Sequence, residues 1–187
     1  EATIDAIGVL HSVPLDGGVS AIFDHPSGGG DLVVAGVGSS FFMWGEATDT
    51  PFPSSLEFRP SQYSGGVEEE FDLGTVTFIN GTNAKGTTAD AVDFIVTLDA
   101  GGDEEPTEFV FRLELVSTSN GGTAFQDADI VRLPNPYSET EVVLLGEVYR
   151  LQLSFEAATA GGVAEVDRFF TVEGTGASAV LRAVLTK

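Results

Sequence analysis

The sequence predicts an all-β protein, an antiparallel β-sandwich of jelly-roll or immunoglobulin-like type with about ten strands. Short apolar runs rich in β-branched and aromatic residues alternate with polar positions, Gly-rich turn signals separate them, and no stretch sustains a helical apolar period. The 187 residues are 42% hydrophobic with 14 Phe, so the chain carries a large core despite a formal charge of -21. No linker-like break or internal repeat divides it.

Residues 1–10 read as a strand. Ala2, Ile4, Ala6, Gly8 and Leu10 fall on one face, and Glu1, Thr3 and Asp5 on the other, before Ile7 and Val9 turn that face apolar too. His11 to Gly18, with Pro14 and a Gly-Gly pair, forms a tether. The division expected is therefore 1–18 for strand and tether and 19–187 for the sandwich. A tethered strand has two fates: an edge strand on its own sheet, or insertion into the next subunit as a donor strand, giving a head-to-tail polymer.

The sandwich begins with the strand-like segment 19–23. The run Phe41, Phe42, Met43 and Trp44 is either a core anchor or an exposed platform for a sugar, and burial is the simpler reading. Segments 75–79, 93–98, 108–115, 149–155 and 179–185 follow as strands. In the third of these, Phe109, Phe111, Leu113 and Leu115 oppose Glu108, Arg112 and Glu114, as a strand between core and water requires. Leu151, Leu153 and Phe155 repeat the pattern.

From Asp31 onward a longer pattern emerges. Gly38-Ser-Ser-Phe-Phe-Met-Trp-Gly-Glu46, Ser54-Ser-Leu-Glu-Phe58, Phe71-Asp-Leu-Gly-Thr-Val-Thr-Phe-Ile-Asn-Gly-Thr82, Ala91-Val-Asp-Phe94 and Asp127-Ala-Asp-Ile-Val131 follow in order. In these motifs and their spacing the chain resembles the bacterial choice-of-anchor K domain family. The resemblance implies a secreted, cell-surface protein and supplies no reaction. A chain that begins at Glu1 without Met fits the same expectation of secretion.

Chemistry is sparse. With 29 acidic residues against 8 Lys and Arg, no basic face for nucleic acid is expected. No apolar run reaches the roughly 18 residues of a membrane helix, so no membrane insertion is expected. The absence of Cys removes thiolate chemistry and disulfides. His11 and His25 lack metal spacing, and no nucleophile elbow or phosphate loop occurs. No catalytic residues are assigned, and the chain is read as a non-enzyme.

Calcium is the one candidate cofactor. Asp99, Asp103, Glu104 and Glu105 surround a Gly-rich turn, and Asp127 and Asp129 form an alternating pair on a strand face with Val131, within reach of Arg132 or Arg168. The competing reading is a set of solvated acidic loops. Asn80-Gly-Thr82 matches a glycosylation acceptor and equally a favoured turn. The function expected is an extracellular filament or matrix subunit that self-associates through residues 1–10. The alternative is a monomeric surface adhesion or polysaccharide-binding module.

Overall fold

The computed structural model describes residues 15–99, 105–119, 121–144 and 146–187, with Leu15, Asp16 and Ser64 described in their backbone only. Its strands are β1 (Leu15–Gly17), β2 (Val19–Gly28), β3 (Val34–Ala35), β4 (Phe41–Trp44), β5 (Ser54–Pro60), β6 (Tyr63–Gly65), β7 (Phe71–Ile79) and β8 (Ala89–Leu98). They continue with β9 (Thr107–Val116), β10 (Asp129–Arg132), β11 (Tyr137–Leu144), β12 (Glu147–Ala158), β13 (Gly162–Glu165), β14 (Arg168–Thr171) and β15 (Gly176–Thr186). No helix occurs among the described residues.

Two antiparallel sheets pack face to face. One is 6-stranded, in the order β13-β14-β10-β9-β8-β2; the other is 7-stranded, in the order β11-β12-β15-β7-β5-β4-β3. β1 pairs with β6 as a separate ribbon, Leu15 opposite Gly65 and Gly17 opposite Tyr63. β1 thus falls within the stretch 1–18 that the sequence sets apart as strand and tether. The strands beyond the ten or so expected are mostly the short ones, too brief to show alternation.

Alternation in the long strands is what drives the two layers together. β9 buries Phe109, Phe111, Leu113 and Leu115, and β12 buries Tyr149, Leu151, Leu153 and Phe155. The phenylalanines join the sheets: Phe94 of β8 lies 5.2 Å from Phe23 and 5.2 Å, edge-on, from Phe58 of the opposite sheet. Phe169 of β14 reaches across to Phe78 and Phe155 at 6.4 and 6.1 Å. Trp44 is 3% exposed and stacks between Phe42 and Phe78, so the apolar run in β4 is a core anchor.

The acidic residues occupy outer faces and loops, and they take up the arginines. Arg59 pairs with Glu57, Arg112 with Asp93, Arg132 with Glu114, Arg150 with Glu141, and Arg168 with Asp167 and Glu165. Arg182 is held by Asp72 at 2.6 Å, Glu156 at 3.4 Å and Glu70 at 3.5 Å. Exposed pairs of this kind contribute about 1 kcal/mol or less each, so they organise the surface while the aromatic core carries the stability.

Candidate functional site

Two places combine unusual geometry with chemistry: a polar cleft at one end of the sandwich, and a seam between β9 and β11 at the other. The cleft, about 220 Å³, lies where the chain crosses from β7 to β8. It is walled by Thr82, Lys85, Ser117, Thr118, Asp129 and Glu173, among others. Asp129 opens β10 and faces inward, cross-strand from Thr171. It is only 7% exposed, and its Oδ1 accepts the Thr118 N–H at 2.8 Å.

Burial is the main reason its pKa rises from 3.8 to about 6; the Thr118 N–H opposes that rise, and the Glu173 charge adds to it. Thr82 donates its hydroxyl to Glu173. The cleft therefore commits these backbone and hydroxyl donors to its two carboxylates. Beneath it, the Oγ1 of Thr171 and the Oδ1 of Asn80 are buried without a hydrogen-bond partner.

The raised pKa makes a testable statement. Between about pH 4 and 6 the folded state holds a proton that the unfolded chain has lost, so Asp129 costs stability as pH rises through that window. Asp129→Asn is expected to match the parent near pH 4 and to exceed it at pH 7 by roughly 2 kcal/mol. Urea unfolding at both pH values measures this, and an equal or lower stability of the variant at pH 7 contradicts it.

The calcium candidates do not converge. Asp99 follows Leu98, which pairs with Thr107, whereas Asp129 sits beyond the Val116–Ile130 pair at the other end of the same sheet. The ten residues of β8 separate these ends, about 30 Å at strand rise. Asp127 is not on the strand: its carboxylate accepts the backbone N–H groups of Gly121 and Gly122. Asp129 is held by Thr118, while Arg132 and Arg168 pair elsewhere. Glu105 is exposed, and Asp103 and Glu104 lie outside the described residues. Among the described residues no group of three or more His, Asp or Glu is placed to hold a metal.

Asn80 is fully buried. Its Nδ2, the atom a glycan would occupy, donates to the Thr171 carbonyl at 2.9 Å, while its backbone bonds Thr175 and Gly174. This fold has no room for a sugar there. Nor is Asn80-Gly81 a hairpin turn: a Cβ on Gly81 would lie 2.3 Å from the Phe52 carbonyl, so glycine serves a close backbone approach.

The seam arises from incomplete pairing. β10 covers only residues 114–116 of β9, so among the described residues 107–113 have no ladder partner on that side. β11 runs alongside with Cα atoms within 8 Å of β9, yet no ladder joins them. The seam is packed by side chains alone, around a slot of about 20 Å³ lined by Tyr63, Leu98, Phe109, Val142, Leu144 and Leu185. Outside, Val110 is 41% and Val143 60% exposed. Only the lack of alternation at Val142, Val143 and Leu144 could have flagged this place in the sequence.

The other edges are short or capped. β3 has 2 residues and β13 has 4. β2 is bridged at Phe23, whose N–H donates to Ser39 and whose carbonyl accepts the Gly38 N–H. β11, with 8 residues, pairs among the described residues with β12 on one side only. The expected donor residues Ala2, Ile4, Ala6, Gly8 and Leu10 lie outside the described residues. No protein-family model matches the chain, and no curated protein matches it.

Proposed function

We propose that the protein is a non-enzymatic extracellular structural subunit, a filament or matrix component that polymerises head to tail by inserting its N-terminal strand into a neighbour. The observation that carries the proposal is the 8-residue edge of β11, which among the described residues has no outer ladder partner and bears exposed Val143 beside exposed Val148. An edge of that length templates strand addition, and sandwiches usually protect it. The alternation of residues 1–10 reads as a strand long enough to span it. The likeness to choice-of-anchor K domains supports a secreted, cell-surface setting.

The charge of -21 sets the conditions. Like-charged subunits repel over a Debye length of about 10 Å at 0.1 M salt and about 3 Å at 1 M. Full-length protein is therefore expected to form fibres, seen by negative-stain microscopy and light scattering, more readily as salt rises. Deleting residues 1–10 is expected to leave soluble monomers under every condition. Fibres from the truncated protein, or a full-length protein monomeric at high concentration and high salt, would overturn the proposal.

One observation favours the alternative, a monomeric adhesion or carbohydrate-binding module. A groove of about 540 Å³ on the outer face of the larger sheet is lined by Tyr137, Glu141, Val148, Arg150, Thr186 and Lys187. The half-exposed Tyr137 ring beside charged hydrogen-bonding groups is a surface on which a sugar can stack. Retarded migration of the monomer in gels containing polysaccharide, lost in Tyr137→Ala, distinguishes that role.

A further inference from the structure

We propose that the acceptor for the N-terminal strand is the seam between β9 and β11, filled by residues 4–10 of a second copy of this chain. The assignment rests on the polymerisation reading above and specifies where the strand binds. Among the described residues, unpaired backbone lies on both sides of the seam: residues 107–113 of β9 on one, the outer side of β11 on the other. A strand entering here is paired on both sides, whereas at β3 or β13 it would find only a short ladder.

Widening the seam is a small movement. A strand between β9 and β11 needs two strand spacings, about 9.6 Å, and the two already lie within 8 Å without hydrogen bonds to break.

The side-chain pattern sets direction. Residues 7–10 are apolar on both faces and need cover on both. Near residues 107–110 the seam offers it: inward, the slot formed by Phe109, Leu98, Val142 and Leu144; outward, exposed Val110 and Val143. Leu10 then enters the slot, with Ile7 and Val9 over the two valines. Asp5 then falls opposite Arg112, whose guanidinium is already held by Asp93, Ser27 and the His25 carbonyl, and residues 1–3 extend past the unpaired stretch of β9. The donor thus runs antiparallel to β9.

That direction separates the two fates of the strand. β2 pairs antiparallel with β8, and β8 with β9, so β2 runs the same way as β9. β1 leads into β2 through Gly18 alone. To enter its own seam, the chain would have to reverse between Leu10 and Leu15. Only His11, Ser12, Val13 and Pro14 are available for that reversal, and the α-region conformation a type I turn needs is disfavoured at Val13, the residue before Pro14. The tether instead runs on to the next copy. β11 carries Glu139 and Glu141 along the seam, so acidic Asp5 approaches like charge, in keeping with assembly at high salt.

The chain has no Cys, so introduced thiols report unambiguously. Full-length Val9→Cys and Val143→Cys chains, made separately at different masses, are mixed under assembly conditions and oxidised. A disulfide-linked heterodimer is expected, and none when Val163→Cys on β13 replaces Val143→Cys. Fibres in which Val9→Cys links to Val163→Cys, or to neither, overturn the seam while leaving polymerisation standing. A link within single chains of the double variant at high dilution overturns the second-copy assignment. Absence of both fibres and cross-links overturns the seam and polymerisation together.

Discussion

Phe94→Ala should lower the free energy of unfolding by about 3–5 kcal/mol, a large part of the 5–15 kcal/mol that holds a typical domain together. Phe94 is buried where three strands from both sheets meet through rings, 5.2 Å from Phe23 and 5.2 Å from Phe58. The surrounding gap, lined by Val76, Leu113, Leu133, Leu153, Phe155 and Leu181, is only about 10 Å³. Removing the ring therefore opens a new cavity that strands held by ladders on both sides cannot collapse to fill.

Urea unfolding measures it as a lower midpoint with an unchanged slope. Phe41→Ala, at a half-exposed ring on the outer face of β4, is the comparison and should cost about 1 kcal/mol or less. Equal losses at the two positions would mean that the sheets are not joined through Phe94.

Asn80→Asp is the second large effect, and its signature is its pH dependence. Asn80 Nδ2 donates to the Thr171 carbonyl at 2.9 Å from a fully buried position. A carboxylate of the same shape loses that donor, faces the carbonyl with like partial charge, and sits unpaired away from water. The cost at pH 7 is about 3–5 kcal/mol, as for other uncompensated buried charges. Burial raises the folded-state pKa of the new carboxyl above its unfolded value, so the protonated form, able to donate to Thr171, restores stability below about pH 4.

The deficit relative to the parent should therefore grow as pH rises from 4 to 7. Asn80→Ala, which loses the bond but gains no charge, should show a deficit that is constant over that range. A pH-independent deficit for Asn80→Asp would place this side chain in contact with water.

The long strands were legible because their information is local. In β9, β12 and β15, apolar side chains recur at every second position, so residues such as Phe109 and Leu151 declare their facing without reference to the rest of the chain. The short strands β3, β10, β13 and β14 span at most 4 residues, too few for a period, and exist because longer neighbours template them. Asn80-Gly81 shows local reading misled: the dipeptide suits a hairpin, but the chain there leaves one sheet for the other, and Gly81 is needed because the Phe52 carbonyl comes from elsewhere.

The candidate sites were less legible still. Asp127 and Asp129 alternate in sequence, but one caps a loop and the other lies under Thr171 with a raised pKa. That difference depends on where β10 begins against β14. Asp99 and Asp129, both acidic and both beside turns, fall at opposite ends of a sheet.

The sequence alone determined that the chain is all-β, that it forms two layers with Phe and Leu between them, and that acid coats the outside, because each follows from side-chain alternation within a strand. Which strand edges stay unpaired, which carboxylate is buried, and where β9 meets β11 without a ladder were decided only by the tertiary structure. Those properties belong to pairs of segments far apart in the chain, brought together by packing that no local pattern records.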